Sequence, residues 1–154
     1  MKRASIYSAR IWGDDFQGVV FNNKFKSTDT SKQQVFTPGK TDIELVENCL
    51  RRGLDTLVST PTYNFSGKSM VDSIAGKTVF PNLTYYVRQY FGYVNEKGEK
   101  IILVNSFYQY SHIYADRKYW LKQMVNVYDG GKAFWHVKVN LHTEQLFDLY
   151  INGI

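Results

Sequence analysis

Two short turns carrying glycine divide the second half of the chain into paired runs of strand-forming residues. Leu83–Asn95 and Glu99–Tyr108 flank Glu96–Lys97–Gly98. Leu121–Tyr128 and Ala133–His142 flank Asp129–Gly130–Gly131, and Leu146–Ile151 follows. A three-residue connection with glycine in the left-handed position joins antiparallel neighbours. The flanking runs are rich in Val, Ile, Tyr and Phe, which suit a pleated, half-buried surface. The pattern predicts an antiparallel meander of four to five strands over about 83–152. Between Gln109 and Tyr119 the alternation breaks, and Asp116–Lys122 is expected to form a short helical turn.

A meander with one apolar face needs a cover, and residues 41–57 supply it. Ile43, Val46, Leu50, Leu54 and Leu57 recur at three and four, with Leu45 and Cys49 beside them, the pattern of an amphipathic helix. Thr41 stands three residues before Glu44, a capping box. Gly53 falls within the stripe and is expected to loosen the last turn. The expected fold is therefore α+β: one main helix packed on a curved antiparallel sheet. Residues 1–40 read as an irregular N-terminal segment, an extended arm or an added edge strand. The stretch Phe16–Phe25 is its one strand candidate. Residues 58–82 read as a long loop. At 154 residues the chain is expected to form a single domain.

The last hairpin predicts two unlike faces. Ala133, Trp135, Val137, Val139 and Leu141 share one face of their strand; Phe134, His136, Lys138, Asn140 and His142 share the other. Placing Phe147, Leu149 and Ile151 on the apolar face pairs Val139 with Leu149 and Lys138 with Tyr150. It also requires a three-residue connection at Thr143–Gln145. One face is then dry and the other polar-aromatic.

Several chemistries are excluded or disfavoured. Gly67–Lys68–Ser69 and Gly76–Lys77–Thr78 resemble the tail of a phosphate-binding loop, but the required upstream glycine is replaced by Thr62 and Val71. His136 and His142 lie about 20 Å apart along one strand, too far to share an ion. A single cysteine, Cys49, forms no internal disulfide, and on its helix it reads as a small buried hydrophobe. No metal and no cofactor is expected. Asp148 with His136, Tyr150 or Tyr93 is the one acid/base set, and a cross-strand pair between Asp148 and Lys138 accounts for it more simply. Net charge is +5, from 11 basic and 8 acidic residues in 1–77 and 8 basic and 6 acidic in 78–154. That even spread gives no basic run for a polyanion. Arg88, Tyr90 and Tyr86 are expected to extend the polar-aromatic face, which offers stacking and phosphate contacts of the single-strand-binding kind. There is no apolar run long enough to span a membrane, and no secretory signal at the start. The expected location is cytoplasmic or virion-associated.

The runs RQYFGYVNEKGEKIILVN (88–105) and YDGGKAFWHVKVNLHTEQLFDLYINGI (128–154) resemble small uncharacterised proteins of gut-type bacteria and their phages. The resemblance covers about 88–154. It implies a helix followed by a terminal meander and a non-enzymatic interaction protein, with a phage or mobile-element origin. Many relatives look like envelope lipoproteins, whereas this chain has no lipobox cysteine.

The expected function is a non-catalytic protein-interaction or structural module, with a protein partner or a second copy bound at Phe134, His136, Lys138, Tyr150 and Trp120. Aromatic rings beside a cation are the usual chemistry of such contacts. One alternative is a pocket domain for a small ligand or acid/base site. It would need a concave cavity holding a carboxylate of raised pKa. Another is single-stranded nucleic-acid binding.

Overall fold

The structure is a computed structural model describing residues 1–26, 33–58, 64–65 and 83–152. Its centre is the hairpin of β6 (Tyr86–Val94) and β7 (Lys100–Tyr108). The pairing runs from Tyr86↔Tyr108 to Val94↔Lys100, around a turn in which Gly98 has φ +77°. This is the register the turn residues predict. β8 (Phe134–Asn140) pairs with β7, and β9 (Leu146–Ile151) pairs with β8, both antiparallel. The β6–β7 and β8–β9 pairings belong to the expected meander, but β8 pairs directly with β7, where a strand over Leu121–Tyr128 is expected between them.

The sheet is larger than expected. The described residues of the N-terminal segment are not an irregular arm: they supply β1 (Lys2–Arg3), β2 (Ser8–Trp12), β3 (Gln17–Phe21), which falls within the Phe16–Phe25 candidate, and β4 (Gln34–Phe36). With β5 (Asn64–Phe65) they form one sheet in the order β1-β2-β3-β6-β7-β8-β9-β5. It is not wholly antiparallel, because β3–β6 and β5–β9 are parallel pairs. β7 occupies one whole edge of β6. The other edge is shared end to end, with β3 opposite Val87–Tyr90 and β4 opposite Gly92–Val94. Gly18, which argues against a strand by propensity, is required here. A Cβ at that position would lie 2.5 Å from the Arg88 carbonyl oxygen and 2.7 Å from the Tyr90 ring. Most of the 58–82 segment, including both Gly–Lys pairs, lies outside the described residues.

One face of the sheet is covered by α1 (Lys40–Val58). The helix begins one residue before the expected range, and Gly39 rather than Thr41 is the capping position. The Gly39 N–H donates to Asp42 Oδ2 at 2.8 Å, and its carbonyl accepts from Ile43. Gly53 does not fray the helix, which runs on to Val58. A Cβ there would lie 3.2 Å from Leu146 Cδ1, so the glycine lets β9 approach. Ile43, Val46, Leu50 and Leu54 are buried against Tyr86, Tyr90, Ile102, Val104, Trp135, Val137, Val139, Leu149 and Ile151. Burying each such aliphatic side chain contributes about 1.5–3 kcal/mol.

The other face is not left polar. A second core of Val19, Phe21, Val87, Phe91, Leu103, Phe107, Ile113, Trp120 and Val125 fills it. Its cover is the β7–β8 connection. That segment contains two one-turn helices, His112–Ala115 and Arg117–Trp120, and then an irregular chain. Leu121–Tyr128 is therefore not a strand. The glycines at 130 and 131 lead into a 3₁₀ turn, Gly131–Ala133, rather than a hairpin. No helix of the described residues is long and apolar enough to cross a membrane.

Candidate functional site

The geometry of the second face follows from three side-chain amides. Gln89 and Asn105 are opposite each other on β6 and β7, at inward positions between apolar neighbours. Gln89 Nε2 donates to the carbonyls of Trp120 (2.8 Å) and Gln123 (2.7 Å). Gln89 Oε1 accepts from the Val125 N–H (2.7 Å) and from Asn105 Nδ2 (3.0 Å), which also donates to the Val125 carbonyl (2.7 Å). Asn152 Nδ2 donates to the carbonyls of Val127 and Asp129. Irregular backbone laid on a sheet has no ladder to satisfy it. Here the sheet's amides supply the missing partners.

Beside this tether a cleft of about 400 Å³ opens between the 124–128 chain and β7, β8 and β9. Its lining includes Asn105, Met124, Asn126, Tyr128, Phe134, His136, Tyr150 and Asn152. His136 is paired across the ladder with Tyr150. Their rings stack with centroids 5.2 Å apart and planes at 17°. Tyr128 stands at the lip and is 91% exposed.

Three of the five expected contact residues, Phe134, His136 and Tyr150, thus meet in one cleft. Phe134 is nonetheless 8% exposed, part of the wall rather than the surface. Trp120 is fully buried under the second layer and is not a contact residue of the free molecule. Its indole N–H donates to the Tyr114 carbonyl. Lys138 lies next along the strand, where its ammonium reaches Asp148 Oδ2 at 3.1 Å. Burial disfavours the Lys138 charge, but Asp148 and the Tyr93 hydroxyl outweigh it and hold the pKa above its ordinary value. Burial, with Asp148 after it, pushes the Tyr93 phenol up as well. Asp148 therefore serves as the partner of Lys138, as the cross-strand pair predicts.

The expected register of this hairpin is corrected. Lys138 pairs with Phe147, not Tyr150, and Val139 pairs with Leu146, not Leu149. Two local features shift it. Asn140 Oδ1 accepts the N–H groups of His142 and Thr143 and organises a longer connection, in which Glu144 has φ +59°. Asp148 then forms a bulge with φ +51°. The bulge puts Phe147 on the second face and returns Leu149 and Ile151 to the helix face.

The expected extension by Tyr86, Arg88 and Tyr90 is also corrected. These residues face α1, on the opposite side of the sheet from His136. Arg88 and Glu47 are each 1% exposed and form an ion pair at 3.0 Å. Tyr90 donates to Glu47 Oε1 at 2.6 Å, and Arg88 Nη1 donates to the carbonyls of Leu83 (2.7 Å) and Tyr86 (2.6 Å). Burial raises the Glu47 pKa above its ordinary value, against the pull of Arg88 and Tyr90. This is a buried carboxylate, but both its oxygens are held by side chains of the sheet, and it is not open to a ligand. Glu47 was detectable in the sequence. It lies four residues after Ile43 and three before Leu50, inside the apolar stripe.

Cys49 is buried, with Arg52 Nη2 3.7 Å from its sulfur. Among the described residues no three His, Cys, Asp or Glu side chains converge. Compared with protein-family models, with curated proteins and with solved structures, the chain matches none of them.

Proposed function

We propose that the chain is a non-catalytic protein-interaction module whose contact surface is the mouth of the β8–β9 cleft. The observation that carries this reading is the stacked His136–Tyr150 pair, set beside the Lys138 ammonium with the Tyr128 ring held out at the lip. Rings that sit at a surface already ordered lose little freedom when a partner covers them. The partner is a protein or a second copy of the chain. A phage virion or accessory component is the concrete version that the sequence resemblance suggests.

The test is co-purification of the intact chain from its native lysate at physiological salt, with and without nuclease. A stoichiometric protein partner or self-association that survives nuclease supports the proposal. The variants Tyr150→Ala and Lys138→Glu are then expected to weaken association by at least tenfold while the melting temperature holds within about 2 °C, since neither side chain is fully buried. Association unchanged in both variants would remove this surface from consideration. A second reading, a small-ligand site, is favoured by the cleft volume, which falls within the usual range for small molecules. A bare monomer from the lysate would favour it.

A further inference from the structure

At the other end of the second face, away from the cleft, the fold assembles a cationic patch that no stretch of sequence contains. Lys2 lies directly opposite Arg10 in the β1–β2 ladder, so both side chains project from the same side. The Arg10 guanidinium is 4.7 Å from the centroid of the Trp12 ring and 5.1 Å from that of Trp120. It is therefore held between a buried indole and one that is 50% exposed. Its Nη2 donates to Gln17 Oε1 at 3.1 Å, and its buried Nε finds no acceptor. Burial, and then the charge of Arg117, lower the Arg10 pKa, so the two guanidinium groups are close enough to repel.

Tyr114 offsets this repulsion in part, through a side-chain hydrogen bond with Arg10, but no carboxylate among the described residues does. Among the described residues there are five ion pairs, and none includes Lys2, Arg10 or Arg117. The acid next to Arg117 in the chain, Asp116, accepts from the Tyr119 N–H as a helix cap. Cations gathered without a carboxylate make a favourable place for an anion. The exposed side of Trp12 adds a flat surface, braced from behind by Arg10. Phosphate and a planar ring are found together in a nucleotide chain. An acidic peptide would satisfy the charges but leave the indole unused.

We propose that this patch binds single-stranded nucleic acid, with phosphates on Lys2, Arg10 and Arg117 and a base stacked on Trp12. The proposal is independent of the cleft. The test is fluorescence anisotropy of a labelled twelve-nucleotide oligothymidylate with the full chain. Three phosphate contacts to a single strand predict a loss of about twentyfold in affinity between 50 and 200 mM salt. Lys2→Glu and Arg117→Glu, both at exposed positions, are expected to weaken binding and flatten the salt dependence without lowering the melting temperature. Trp12→Ala is expected to weaken binding at least fivefold with the salt slope unchanged, and Trp12→Phe to recover part of it. No binding at 50 mM salt would overturn the proposal. So would binding indifferent to all these substitutions, or heparin competing as well as the oligonucleotide and equally against the Trp12→Ala variant.

Discussion

The two faces of the sheet are covered by unlike material, and they handle polar groups in opposite ways. On one side a 19-residue helix arrives with its backbone already satisfied. It asks only for an apolar surface, and the sheet provides one, interrupted by a single ion pair between Glu47 and Arg88. On the other side the cover is mostly irregular, so its carbonyls and N–H groups need partners. The sheet must then carry amides at positions that alternation would fill with hydrocarbon, Gln89 and Asn105, joined by Asn152 just past the end of β9. A polar residue on an inward strand position thus marks where irregular chain will lie.

The largest effect is expected where the helix face is broken. Arg88→Met leaves Glu47 buried without its cation, which costs about 3–5 kcal/mol. In a chain of this size that lowers the melting temperature by about 6–20 °C. Adding Glu47→Leu should recover most of the loss, because a well-packed apolar pair replaces a buried ionic one at little cost. A thermal-denaturation double-mutant cycle measures this, and additive losses would show that the two side chains do not act as a pair.

Gln89→Leu should cost less, about 2 kcal/mol, since the freed backbone groups of Trp120, Gln123 and Val125 partly find water. Its signature is local. Amide exchange at Val125 should accelerate while Ile43 to Leu54 stay protected, and a uniform change across both faces would contradict the division of labour described above.

The smallest effect concerns pH. Burial, with Tyr108 after it, raises the Tyr86 phenol to about 12, and its hydroxyl donates to the Lys132 carbonyl at 2.9 Å. A raised pKa in the folded state contributes stability that is complete below pH 10 and lost as pH rises from 10 through 12. About 1 kcal/mol should be gone by pH 11. Tyr86→Phe should reduce this alkaline loss in urea titrations; an identical loss would assign it elsewhere.

How much of this was legible follows the same division. The α1 stripe and the β6–β7 register were readable because both depend on local patterns: apolar spacing in one case, a three-residue glycine turn in the other. β3 falls within the Phe16–Phe25 candidate, although its Gly18 is explained only by the Arg88 carbonyl lying against it, whereas β1, β2 and β4 are too short and too polar to announce themselves. Leu121–Tyr128 alternates like a strand, yet side-chain amides take the place of a neighbouring ladder. Alternation puts His136 and Tyr150 on the face they share in the structure, but not opposite each other, because the bulge at Asp148 is invisible to a period of two. Trp120 reads in the sequence as a contact residue on the strength of its ring alone. Its burial depends on the second layer, which the sequence pattern does not announce.

The parallel pairing of β3 with β6 also orders events in time. Val20 lies opposite Tyr90, seventy residues further along. At about 5–20 residues per second, a ribosome making this chain exposes the open edge of β3 for several seconds before β6 exists. The β6–β7 hairpin closes over a short loop and does so quickly, whereas the N-terminal strands must be captured across a long one, the kind of contact that slows folding. During synthesis the apolar residues of β3 are thus made well before β6 and are among the last to be sheltered, and a chaperone that acts on nascent chains has its longest opportunity there.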